Sequence, residues 1–158
     1  AEARLPDLDF TLIGQLDLVE RSPTGYAFTD FKTGSPATAK TVAAGFDLQL
    51  PLAAWLAAQG ALAGLAAADT HELAYVRIKG SGDDFFHRLV SEPARGAESA
   101  EVLRDRSIDI LRRLVAAYDQ PDTGYPSQPR AQYTNDYGDY DHLARRDEWS
   151  AISDAGDE

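Results

Sequence analysis

Three features of the sequence predict an α/β fold. Four stretches alternate apolar and polar residues at period 2, as strands do. One long stretch near residues 99–118 repeats at helical spacing, and glycine–proline breakers stand at the joints between elements. With 158 residues, 44% of them apolar, the chain has the length for one domain with a real core, and it is read as a single domain over 1–158.

In order, Ala1 to Pro6 reads as a linker. Leu8 to Val19 carries β-branched residues with polar positions at Asp9, Thr11, Gln15 and Asp17, which predicts a strand bulged at Gly14. Arg21-Ser-Pro-Thr-Gly25 is a turn, and Tyr26 to Thr33 returns as the second strand of a hairpin. Gly34-Ser-Pro36 ends the sheet locally; a short helix over Thr38–Ala44 and a second over Asp47–Ala58, capped by Asp47, follow. Pro51 fits only the first turn of that helix, where no hydrogen bond is lost. Ala53 to Ala68, apolar with Gln59, Gly60 and Gly64 inside it, reads as buried helix. His71 to Lys79 and Phe85 to Val90 are strands around a Gly80-Ser-Gly-Asp83 turn. Ser99 to Tyr118 is the clearest helix, with Leu103, Ile110, Leu111, Leu114 and Tyr118 as its apolar stripe. A loop over 120–140, a short helix from Tyr140 to Trp149 and an acidic tail over 147–158 complete the chain.

Composition narrows the function. The absence of cysteine excludes disulfides, thiolate zinc sites and a cysteine-ligated iron–sulfur cluster, and fits a reducing compartment. Methionine is absent too, so the chain reads as a piece of something longer. No apolar run reaches membrane-spanning length. A net charge of −11 argues against a freestanding nucleic-acid binder. The charge is uneven, net −3 over positions 1–60 and net −8 over the rest, so the first third repels a phosphate backbone least.

That first third holds the chemistry. Asp30 and Lys32, two apart on a strand, share one face, while Phe31 points to the opposite layer. Centred on Pro23 and Thr24, the hairpin brings Asp17 nearly opposite Asp30. Carboxylates beside an ammonium suit a hard metal ion and an anionic substrate; a surface ion pair of little consequence is the plain alternative. His71, His87 and His142 are too scattered for a metal site. Tyr133, Tyr137 and Tyr140 with Arg130 offer stacking on bases, or loop packing as the plainer reading, and Trp55 reads as helix core.

The ordered run Gly14-Gln-Leu-Asp17, Asp30-Phe-Lys32-Thr-Gly34 and Gln49-Leu-Pro-Leu52 resembles the PD-(D/E)xK nucleases of the RecB-like branch. Thr11-Leu-x-Gly-x-x-Asp17, Ala43-Ala-Gly-Phe46, Glu72-Leu-Ala-Tyr75, Gly138-Asp-Tyr-Asp-His-Leu-Ala-Arg145 and Glu148-Trp-Ser150 extend it toward the C-terminal nuclease domains of the AddB type. The resemblance implies a restriction-endonuclease-like core, a mixed central sheet of about four to five strands flanked by helices. It implies Mg²⁺, with Mn²⁺ as substitute, on Asp17, Asp30 and the Phe31 carbonyl. Lys32 and Gln49 complete the catalytic set. It further implies a bacterial cytoplasmic double-strand-break repair machine in which single-stranded DNA arrives from an AddA-like helicase subunit bound to the rest of AddB.

Three departures qualify it. Gln15 stands where arginine is usual, and Ala53 where an aromatic is usual, four residues past Gln49. The relatives also carry a metal-binding residue on an upstream helix that this sequence lacks, so weak or no cleavage is expected of the isolated chain. The competing reading is a nuclease-like scaffold or DNA-binding module without chemistry; retention of Asp17, Asp30 and Lys32 together favours the enzyme.

Overall fold

The computed structural model describes residues 1–78 and 86–125. The chain divides into two compact units, Ala1–Gln120 and Pro121–Glu158. The Gly80–Asp83 turn, Tyr133, Tyr137, Tyr140, Arg130, His142, the Tyr140–Trp149 helix and the acidic tail lie outside the described residues, as does the His87 side chain.

The architecture is mixed α/β, as the alternation of periods predicts. Four strands form one sheet in the order β3 (Leu18–Ser22), β4 (Gly25–Lys32), β5 (Thr70–Arg77), β6 (Phe86–Leu89). β3–β4 and β5–β6 are antiparallel, whereas β4 and β5 run parallel. Parallel neighbours need a long crossover, and α1 (Ala39–Ala43) and α2 (Gln49–Ala58) supply it. The hairpin turns as predicted, with Ser22 opposite Gly25 and Pro23–Thr24 at its tip.

One face of the central strands carries the core. Tyr26 and Phe28 of β4 and Leu73 and Tyr75 of β5 pack against Leu50, Ala54 and Ala57 of α2 and Leu103 of α3 (Ala100–Tyr118). Along β4 the same face continues at period 2 to Asp30 and Lys32, where the apolar layer gives way to polar groups.

Several expectations are corrected. Residues 1–6 are no linker: β1 (Glu2–Leu5) pairs antiparallel with β2 (Phe10–Ile13) as a separate two-stranded sheet. Leu5, Phe10 and Leu12 belong to a second apolar cluster with Trp55, Leu56 and Ile108. Leu8 to Val19 is therefore not one strand. It is cut between Ile13 and Leu18, because β2 belongs to the outer pair and β3 to the main sheet. Gly14 sits at the cut, where a Cβ would fall 2.8 Å from the Leu56 side chain, so only glycine fits without displacing it.

The apolar run after Trp55 leaves the helix at Ala58; Gly60 and Gly64, both at positive φ, turn the chain out of it. The N-cap of α2 is Leu48, which provides no side-chain bond, and Asp47 stands one residue earlier. On α3, capped by Ser99, the buried positions are Ala100, Leu103, Ser107 and Ile108. Leu114 is 43% exposed, because the stripe is buried only where the central strands, α2 and the β1–β2 pair lie against it. Phe31 does leave the Asp30 face, yet it is exposed rather than packed in a second layer.

Candidate active site

The site forms where β4 ends beside the start of α2. Asp30 is buried, its side chain 8% exposed, and the Lys32 ammonium lies 2.8 Å from its Oδ2. That approach is an ion pair without hydrogen-bond geometry, so Oδ2 is a buried oxygen that accepts no hydrogen bond. The other oxygen, Oδ1, accepts from the Gln49 side-chain Nε2. Gln49 Oε1 in turn accepts from Lys32 Nζ at 2.6 Å. Only one amide orientation satisfies both neighbours, since a carboxylate needs a donor and an ammonium an acceptor.

Asp17 joins from the neighbouring strand. Leu18 is opposite Thr29 at the last paired position, so Asp17 falls beside Asp30 one step further along. Its Oδ2 accepts from the Phe31 backbone N–H at 2.9 Å. Asp17 is exposed, unlike Asp30. Both aspartates and Gln49 line a cavity of about 270 Å³ whose other walls include Gln15, Thr29, Leu52 and Ala53. The two positions that depart from the family pattern, Gln15 and Ala53, thus both face this cavity.

The structure brings Asp30, Lys32 and Gln49 into direct contact and sets Asp17 one backbone amide away. The donor set consists of hard oxygens, one of them buried and without a hydrogen bond. It fits a hard divalent cation that keeps several waters. Among the described residues no group of three His, Cys, Asp or Glu side chains forms a metal cluster, so the fit rests on two carboxylates.

Sequence reasoning passed over two members of this neighbourhood. Tyr75, fully buried, pairs with Asp30 across the parallel ladder, and its ring centroid lies 5.4 Å from Lys32 Nζ. Its hydroxyl donates to Asp47 Oδ1 at 2.8 Å. Burial, reinforced by the hydrogen bond to and charge of Asp47, drives the Tyr75 phenol well above its ordinary value near 10. Asp47 reads from sequence as a cap and Tyr75 as one strand position at the end of Glu72-Leu-Ala-Tyr75. Only the pairing of β4 with β5, which spacing does not encode, joins them to Lys32.

The sequence profile of the PD-(D/E)XK nuclease superfamily matches residues 2–133. The chain belongs to that superfamily. No curated protein and no solved structure matches it. Superfamily membership makes the fold restriction-endonuclease-like and the general activity that of a nuclease, a class that typically uses divalent metals. Among the described residues no helix is long and apolar enough to cross a membrane.

Proposed function

We propose that this domain is a metal-dependent deoxyribonuclease of the RecB-like, AddB type, hydrolysing phosphodiester bonds of single-stranded DNA within a helicase–nuclease of double-strand-break repair. What carries the reading is the interlocked set Asp30–Lys32–Gln49, with Asp17 adjacent, on a superfamily member. Asp17, Asp30 and the Phe31 carbonyl would hold the ion, Mg²⁺ or Mn²⁺. Such an ion supplies charge that offsets the phosphodiester's own and makes water more acidic.

The remaining work belongs to the chain. Lys32, 31% exposed at its side chain, presents a point charge to the phosphate as negative charge builds on its oxygens. Gln49 keeps that ammonium beside Asp30, accepting from one and donating to the other. Asp30 is buried and Asp17 exposed, so the phosphate would meet the site from the Asp17 side. The chain's acidity fits delivery of DNA by a partner helicase subunit rather than capture from solution.

Isothermal titration with Mn²⁺ and cleavage of end-labelled single-stranded DNA test the reading together. Binding that disappears in Asp30→Ala, with Lys32→Ala binding the ion but not cleaving, supports the enzyme. An ion bound by neither wild type nor variant would leave the scaffold reading standing instead.

A further inference from the structure

We infer that Asp47 and Tyr75 are positioning residues for this site, setting Gln49 and through it Lys32. The chemical consequence rests on the nuclease reading above; the geometry does not. Gln49 is an exposed side chain at the first position of a helix whose cap residue, Leu48, offers it nothing. Left to itself, such a glutamine samples several rotamers. Asp47 fixes the backbone from which that side chain projects. Its Oδ1 accepts from the Gln49 backbone N–H at 3.2 Å and from the Tyr75 hydroxyl at 2.8 Å.

Tyr75 is a rigid anchor for that bond. It is wholly buried on a strand with neighbours on both sides, and it packs in the same apolar cluster as Leu50 of α2. The start of α2 is thereby tied to the strand that neighbours Asp30 and Lys32. The tyrosine acts at both of its ends, its hydroxyl on Asp47 and its ring face beneath the Lys32 ammonium. Asp30, Lys32, Tyr75, Asp47 and Gln49 therefore close a ring of contacts drawn from two adjacent strands and one helix start. A lysine with four methylenes is held from three directions, by a carboxylate, an amide oxygen and a ring.

The test compares Asp47→Ala, Asp47→Asn and Tyr75→Phe in the whole chain with two readouts. The first is solvent exchange of the Gln49 side-chain amide by NMR, which needs no activity. Asp47→Ala should speed it about fivefold, because the helix start that aims the amide at Asp30 loses its tie, while Asp47→Asn, which keeps an acceptor oxygen, restores it. The second is kinetics on single-stranded DNA with Mg²⁺. Asp47→Ala should lower kcat about 10- to 100-fold with KM within about twofold, and Asp47→Asn should recover most of it. An unchanged Gln49 amide in Asp47→Ala, or an asparagine variant as impaired as the alanine one, overturns the inference. Should Asp47→Ala not fold, Tyr75→Phe decides, since it keeps the ring and removes only the hydroxyl. A wild-type chain that neither binds Mn²⁺ nor cleaves sinks the nuclease reading and leaves the amide exchange to judge the positioning.

Discussion

The two long helices bury themselves in different ways. α2 has ten residues and buries seven of them, Leu50, Pro51, Ala53, Ala54, Trp55, Leu56 and Ala57, so no side of it is left to solvent beyond its ends. α3 has nineteen and buries four, Ala100, Leu103, Ser107 and Ile108, along one stripe. The reason is position. Both helices reach both apolar clusters, but α2 does so from most of its surface, through Leu50, Ala54 and Ala57 on one side and Trp55 and Leu56 on the other, whereas α3 does so along one stripe. A helix packed on both sides has little room to shift, which makes its first residue a sound place for a group that must hold still. Gln49 is that residue.

The comparison can be broken at several points, the largest effect first. At the polar end of α2, Lys32→Ala should reduce cleavage by about 10²- to 10³-fold. Its melting temperature should fall only modestly, because the ammonium is partly exposed and the Gln49 amide still donates to the buried Asp30 carboxylate left behind. A comparable loss of stability would show the lysine to be structural.

Leu56→Ala should cost about 2–5 kcal/mol by denaturant unfolding. Leu56 is 1% exposed and belongs to the cluster that fastens β1 and β2 to the helices. Gly14→Ala should cost about 1–3 kcal/mol, since its methyl group would meet the Leu56 side chain at 2.8 Å. In the Leu56→Ala background that cost should largely disappear, a coupling that a double-mutant cycle measures directly. Strict additivity would mean that the β1–β2 pair does not rest on α2 at that point.

The joint between β5 and α2 has a pH signature. The folded state raises the Tyr75 pKa above its ordinary value near 10, chiefly through burial and then through Asp47. The folded form therefore holds that proton more tightly than the unfolded chain. Its contribution is complete below about pH 10 and is lost as pH rises beyond, at up to about 1.4 kcal/mol per pH unit. Tyr75→Phe should flatten the alkaline limb of the stability curve; an unaltered slope would deny the tyrosine its sealed position. On the outer helix, Leu114→Ala should change stability by less than about 0.5 kcal/mol, because the side chain is 43% exposed.

Much of the site was legible in the sequence because its parts obey local rules. Alternation put Asp30 and Lys32 on one face, and the turn at Pro23–Thr24 set the hairpin register that brings Asp17 alongside. The parts that were not legible are those in which distant segments decide. Nothing in Ala1–Pro6 announces β1, whose partner β2 and apolar support from Trp55 come from elsewhere in the chain. The same cause cut the run Leu8–Val19 in two, since each half pairs with a different sheet. The α3 stripe went astray at Leu114 because periodicity marks which residues could be buried and only a covering neighbour determines which are.

The sequence alone determined the α/β class, the hairpin and the side-by-side carboxylate and ammonium, all consequences of turn chemistry and of the two-residue repeat of a strand. Tertiary structure decided that β4 and β5 run side by side and parallel, so that Tyr75 underlies Lys32 and Asp47 anchors the helix that carries Gln49. The physical reason is that strand pairing across a crossover is fixed by the burial of whole layers, a sum over many residues that no short stretch contains.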